Sequence, residues 1–220
     1  MRIEWLKREA KGRLLIFFHG WGMDARAVQH LHGECDIAVV CDYRNLTVDV
    51  KLLEELKQYR HIDVVAWSMG VWAAANVLPL CEIHPVRLVA LNGTERPVDN
   101  SYGIPERIYR LTERGMNAEG RDKFMSRMFV NDEERRRFQA CRPQRDLQEV
   151  CDELILIREQ SAGLQHTLDW NRVYVSSGDV IFVPAQQMAW WQNRVKEIVP
   201  LEGGHYPFYH FESWEQILEL

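Results

Sequence analysis

The chain has 220 residues, 46% hydrophobic and 27% charged, with a formal net charge of −5 at pH 7. This is ordinary usage for a globular protein and excludes wholesale disorder. The acidic balance excludes a generic nucleic-acid binder, whose affinity would rest on Lys and Arg neutralising phosphates.

The first β-like runs, 2–7 and 13–18, flank the segment KREAKG and predict a hairpin. The second run, Leu14-Leu15-Ile16-Phe17-Phe18, is continuously apolar, as a strand buried on both faces requires. It ends in the glycine-rich loop His19-Gly20-Trp21-Gly22. Ile37–Cys41 predicts another buried strand. Val50–Tyr59 spaces its leucines helically, with Thr47 or Asp49 as its cap. Ile62–Trp67 predicts a strand, Met69–Leu80 an alanine-rich helix ended at Pro79, and Arg87–Leu91 a strand followed by Asn92-Gly93.

The rhythm then changes. Residues 94–165 hold no strand pattern and read as charged helices. Strands return at Arg172–Ser176 and Lys196–Val199, with helices at Ala185–Asn193 and Phe211–Leu220. Alternation interrupted once predicts an α/β fold: a mostly parallel sheet flanked by helices, with an inserted helical cap. The expected organisation is a core of residues 1–93 and 166–220 and a cap of residues 94–165.

The sharpest local signal is Ala66-Trp67-Ser68-Met69-Gly70, placed where a strand gives way to a helix. It matches the nucleophile elbow G-x-S-x-G with Ala in the first position. Such a turn tolerates only small residues beside the serine, and Gly70, Ala73 and Ala74 let the next helix approach the sheet. A serine there also suits a plain helix N-cap. Asp179 follows a strand in VYVSSGDVIFVP, and His205 lies in the loop LEGGHYPF after the next strand. The order Ser68, Asp179, His205 is that of the α/β-hydrolases. Asp179 also suits a turn, His210 competes with His205, and Asp152 and Asp169 are weaker acids because neither follows a strand. Gly203-Gly204 favour His205 by giving its loop freedom. The oxyanion of an acyl transfer needs backbone donors. Met69 N–H, after the serine, and Trp21 N–H, in the glycine-rich loop, fit that need. The Trp21 and Trp67 side chains are candidates for lining an acyl channel, although Trp67 equally suits a core aromatic. His19 reads as structural.

The predicted cap carries twelve of the 21 arginines but one of the six lysines. Arg135, Arg136 and Arg137 fan around a helix, so a solvated surface is the plain reading. The functional reading is a cap edge, with Arg142 added, that grips carboxylate or phosphate through guanidinium forks. Phe124 and Met128 are among the apolar residues that could floor a tunnel or simply pack the cap. No Cys/His cluster has zinc spacing, and neither a P-loop nor a dinucleotide fingerprint is present, so no metal or cofactor is expected. No apolar stretch approaches the roughly 20 residues that span a bilayer, and MRIEWLKREAKGR has no apolar signal core. Five scattered cysteines suit free thiols in a reducing cytoplasm. A cytoplasmic protein without membrane or nucleic-acid partners is expected.

Three segments together resemble a known family. Phe17-Phe18-His19-Gly20-Trp21-Gly22-Met23-Asp24, Asp42-Tyr43-Arg44 and Val65-Ala66-Trp67-Ser68-Met69-Gly70-Val71-Trp72 are similar to the BioG-type pimeloyl-[acyl-carrier protein] methyl ester esterases of biotin synthesis, in the α/β-hydrolase superfamily. The resemblance implies hydrolysis of the methyl ester of pimeloyl-[acyl-carrier protein] to pimeloyl-carrier protein and methanol. It implies Ser68, Asp179 and His205 as the triad and Trp21 and Met69 as oxyanion donors. The implied partner is an acyl-carrier protein bearing a methyl-pimeloyl group, acidic and therefore suited to the arginines. A broad carboxylesterase or thioesterase, or an inactive hydrolase fold used for binding, are the alternatives.

Overall fold

A computed structural model describes residues 1–9 and 12–219. Its sheet is built from the apolar runs read in the sequence. The strands are β1 (Arg2–Lys7), β2 (Arg13–Phe18), β3 (Asp36–Cys41), β4 (His61–Trp67), β5 (Arg87–Leu91), β6 (Arg172–Ser176) and β7 (Glu197–Leu201). Among the described residues they form one sheet in the order β1-β3-β2-β4-β5-β6-β7. All neighbours are parallel except β1 with β3. From Leu14 to Phe18 every residue of β2 is buried, because helices cover both faces of a parallel sheet.

The expected hairpin does not form. β1 pairs antiparallel with β3, Arg2 opposite Cys41, and β2 lies one strand further in. The connection expected as its turn includes Ala10 and Lys11, which lie outside the described residues. The reason for the pairing is burial. β2 is buried almost throughout and takes the interior, whereas β1 is half-buried and suits an edge. At the other edge, the Leu201 carbonyl accepts the Ser177 N–H. By the alternation of a strand, Leu201, Val199 and Glu197 therefore turn their backbone groups to β6, and Pro200 faces outward.

The helices are α1 (Val50–Leu56), α2 (Met69–Val77), α3 (Glu106–Arg114), α4 (Ala118–Ser126), α5 (Asp132–Gln139), α6 (Leu147–Ser161), α7 (Pro184–Trp191) and α8 (Trp214–Leu218). Asp49, not Thr47, caps α1, accepting from the Lys51 and Leu52 amides. α2 is buried along its whole length and sits between β4 and β5 in the chain. Its small residues permit this: a Cβ on Gly70 would stand 2.3 Å from the Phe18 carbonyl oxygen. The helix expected over 211–220 is shorter, α8 alone, preceded by a 3-10 turn over Phe208–His210; Leu220 lies outside the described residues. α3 to α6 all fall between β5 and β6. Among the described residues, no helix is long and apolar enough to cross a membrane.

Candidate active site

Strand β4 ends at Trp67, and the next residue takes a backbone conformation that L-residues avoid: Ser68 has φ 60° and ψ −127°. Such a conformation costs about 1–3 kcal/mol and persists only where neighbours enforce it. Here the Ser68 amide donates to the Leu91 carbonyl (3.0 Å), and its carbonyl accepts from Val71 (3.2 Å). Gly93 is pressed against the turn, where an added Cβ would lie 2.3 Å from the Ser68 oxygen. The Ser68 hydroxyl makes no capping bond to α2. It lies 2.9 Å from His205 Nε2, and His205 Nδ1 lies 2.8 Å from Asp179 Oδ2. All three side chains are buried.

The carboxylate is fixed from several sides. Asp179 Oδ1 accepts the Ile181 and Phe182 amides at 2.8 and 3.0 Å, the turn geometry its sequence suggested. Gln187 on α7 donates to Oδ2 at 3.2 Å. With only donors around it, Asp179 requires a hydrogen on His205 Nδ1, which leaves Nε2 to accept from Ser68. The His205 ring stacks on Phe182, with centroids 5.9 Å apart and planes at 7°.

The loop carrying His205 is held rather than free. Gly203 does use a left-handed φ of 102°. Gly204, however, is packed so closely that a Cβ would meet the Met128 carbonyl at 2.4 Å. Asn92 does most of the holding. Its side-chain amide donates to the His205 carbonyl (3.0 Å), the Gly204 carbonyl (3.2 Å) and Ser176 Oγ (2.8 Å), while its Oδ1 accepts the Ser176 amide (2.7 Å). Trp67 Nε1 donates to the same His205 carbonyl at 2.8 Å. Asn92 and Gln187 were missed in the sequence. The available signal for Asn92 was Asn-Gly at the carboxyl end of a strand. His210, the competing imidazole, ends the 3-10 turn.

The glycine-rich loop is clamped to α6. Gly20 N–H donates to His19 Nδ1 (2.8 Å), and Gly22 N–H to Glu153 Oε2 (3.3 Å). Trp21 Nε1 donates to the Val150 carbonyl (2.9 Å), and its ring packs edge-on against Phe124. Burial, assisted by the charge of Arg145, drives the His19 pKa down to about 3, so this imidazole stays neutral. Among the described residues, neither Trp21 N–H nor Met69 N–H has a protein acceptor. Glu153 and Arg145 are wholly buried side chains paired at 3.2 Å.

Beside Met69 opens a narrow cavity, mostly apolar, lined by Ile104, Tyr109, Phe124, Leu154 and Ile181 among others, with Arg127 its charged member. Of the residues expected to contact substrate, Phe124 is there. Trp67 and Met128 are not. Trp67 is buried against His19, His205, Tyr206 and Phe208, where it braces the histidine loop. Met128 is buried, and its carbonyl accepts the Tyr206 amide (3.1 Å). Arg135, Arg136 and Arg142 do not line the cavity either. Arg135 pairs with Asp132 and Arg142 with Asp122, and Arg136 is exposed. Among the described residues, no three His, Cys, Asp or Glu side chains converge as a metal site would need.

A mostly parallel sheet with a strained serine between a central strand and a buried helix defines an α/β-hydrolase fold. The chain resembles a putative aryl esterase from Burkholderia cenocepacia (TM-score 0.67, 15% identity, 94% of this chain and 88% of that one), a likeness of fold alone. Residues 1–217 match the family described as pimeloyl-ACP methyl esterase BioG, and the chain belongs to that family. The crystal structure of BioG from Haemophilus influenzae superposes with a TM-score of 0.91 at 33% identity, covering 99% of each chain. A malonyl-[acyl-carrier protein] O-methyltransferase of Bacteroides fragilis is 38% identical over 203 residues, 91% of this chain. The chain spans about 40% of that protein's length.

Proposed function

We propose that this protein hydrolyses the methyl ester of pimeloyl-[acyl-carrier protein], releasing methanol and pimeloyl-carrier protein, with Ser68 as nucleophile. The observation that carries the reading is the pair of contacts at His205, 2.9 Å to Ser68 Oγ and 2.8 Å to Asp179 Oδ2. Membership of the esterase family supports the substrate. So does the matching segment within a protein named for methylating a carrier-bound acid, the reverse of removing such a methyl group.

In this mechanism His205 Nε2 takes the hydroxyl proton as Ser68 Oγ attacks the ester carbonyl. Asp179 holds the imidazole in the tautomer that can accept it and stabilises the imidazolium. The Trp21 and Met69 amides receive the oxyanion. Collapse breaks the bond to methoxy oxygen, and His205 returns the proton to the leaving methanol. Water, deprotonated by His205, then attacks the acyl-serine, and its collapse restores Ser68 and releases the free ω-carboxyl group.

Residues 94–165 act as the cap over the core of residues 1–93 and 166–220. The cavity beside Met69 accepts the acyl chain, with Phe124 in its wall. The carrier docks at the arginine-bearing edge formed by Arg135, Arg136 and Arg142, leaving its thioester outside the reacting centre. The cytoplasm, where carrier-bound acyl groups are made, is the proposed compartment.

The test is mass spectrometry of methyl-pimeloyl-carrier protein incubated with the wild type and with Ser68→Ala. The wild type is expected to remove the methyl group and leave the thioester intact, and the variant to leave both the ester and the thioester uncleaved. Release of the whole acyl group, or equal turnover by both proteins, would overturn the reading.

A further inference from the structure

The Gly20–Trp21 peptide, whose N–H is one proposed oxyanion donor, lies between two peptides that are each tied to a side chain. On one side the Gly20 amide is bound to His19 Nδ1 at 2.8 Å. On the other the Gly22 amide is bound to Glu153 Oε2 at 3.3 Å. With both neighbours held, the unit between them is left only a crankshaft rotation about the line joining its two Cα atoms, and that rotation needs a change in φ at Trp21, an L-residue whose indole is itself anchored on the Val150 carbonyl. Gly22, at φ 69°, has the backbone freedom that makes such a constraint necessary.

Glu153 reaches this loop from the middle of α6. Its other oxygen, Oε1, accepts the Tyr43 amide at 2.9 Å, so one carboxylate spans the loop after β2 and the segment after β3. Tyr43 returns to the first loop by donating its hydroxyl to the His19 carbonyl at 2.6 Å. Arg145 neutralises the carboxylate from a side chain of zero exposure and also lies 3.4 Å from Asp42 and 3.6 Å from Glu149. Arg44 closes the network on Asp42 and Glu149. Arg145 Nη1 further donates to the Met23 carbonyl at 3.4 Å. The Asp24 carboxylate accepts the Gln144 amide at 2.7 Å. Burial raises the Glu153 pKa, while Arg145 and the two backbone amides oppose that rise. Two amide donors and a guanidinium facing one carboxyl group are a surrounding built for its ionised form.

We propose that Glu153 is a positioning residue for the oxyanion hole: by holding the Gly22 and Tyr43 amides it aims the Trp21 N–H at the reacting centre. Helix α6 thereby contributes to catalysis through the loop it clamps. This inference rests on the serine-esterase reading above.

Glu153→Gln keeps the shape but loses the charge and one acceptor. Glu153→Asp keeps the charge for Arg145 but is too short to reach both amides, and it guards against a Gln variant that fails to fold. Both are compared with wild type for kcat and KM on methyl-pimeloyl-carrier protein. Affinity for an alkyl trifluoromethyl ketone, whose serine adduct carries the oxyanion, is measured alongside. Misaiming one donor is expected to lower kcat about 10- to 100-fold and to weaken the ketone by a similar factor. KM is expected to stay within about two-fold, since ground-state binding does not use this donor. A folded variant with unchanged kcat or unchanged ketone affinity would overturn the proposal. A wild type that forms no ketone adduct would bring down the esterase reading itself, and this inference with it.

Discussion

The indole N–H of Trp67 donates to the backbone carbonyl of His205 at 2.8 Å. The residue that precedes the proposed nucleophile thus holds the residue proposed to deprotonate it, across 138 positions of sequence. Trp67→Phe keeps a ring in the cluster and removes this one donor. Asn92 still holds the same carbonyl, so the expected loss is about 1 kcal/mol of stability and several-fold in kcat, with KM unchanged. Urea unfolding and steady-state kinetics check it. A change confined to KM would mean that Trp67 meets substrate after all.

Asn92 is the larger dependency. It is fully buried at φ 43°, a conformation Asn accepts more readily than most residues. Asn92→Ala removes every bond it makes to Ser176, Gly204 and His205. Unsatisfied buried groups should cost about 2–4 kcal/mol in total, and kcat should fall further than in Trp67→Phe. Thermal unfolding and turnover of the methyl ester are the measurements.

The elbow has no room for one methyl group. At Gly93 a Cβ would stand 2.3 Å from the Ser68 oxygen, against backbone that cannot give way as a flexible side chain would. Gly93→Ala should therefore displace the serine and abolish labelling by a fluorophosphonate probe. Gly163→Ala, where an added Cβ meets nothing within 4 Å, should leave labelling intact.

Docking through the arginines predicts a ranking. Arg135 and Arg142 are already paired with Asp132 and Asp122, while Arg136 is exposed with no acidic partner among the described residues. Arg136→Glu should raise KM for the carrier-linked ester more than Arg135→Glu does, and both should spare a small p-nitrophenyl ester. Equal losses on both substrates would reject docking at this edge.

His19 gives a stability signature in acid. Its pKa falls from the ordinary 6.5 to about 3 in the folded chain, through burial first and Arg145 second. Below 6.5 the unfolded chain takes up a proton that the folded imidazole refuses. The stabilisation is complete above 6.5 and is lost as pH falls toward 3, with a slope of up to about 1.4 kcal/mol per pH unit. His19→Asn, whose Oδ1 can still accept the Gly20 amide, should show a shallower fall in urea titrations across that window. Parallel slopes would contradict this account.

Ser68, Asp179 and His205 were readable because each stands at the carboxyl end of an apolar strand, where a local pattern names a place in the fold. The buried strands were readable for the same reason, through continuous apolar runs. β1 was misread because strand pairing is a choice among distant partners, and adjacency in sequence does not decide it. Glu153 and Arg145 were invisible for a different reason. Glu153 lies within α6 and Arg145 in the loop just before it, two charged residues far enough apart in the chain that only the fold shows them paired inside. Trp67 and Met128 were left open for the opposite reason. Large apolar residues near a nucleophile suit a substrate wall and a core equally, and packing placed both in the core.

Pro200 faces outward from β7, the strand that leads into the histidine loop. It has no amide hydrogen to offer a newcomer at that margin. A second polypeptide pairing there would lack one ladder hydrogen bond, which is one way an edge strand is blunted. The outer margin of the strand that leads to the imidazole is thus made a poorer template for edge-to-edge association by one pyrrolidine ring.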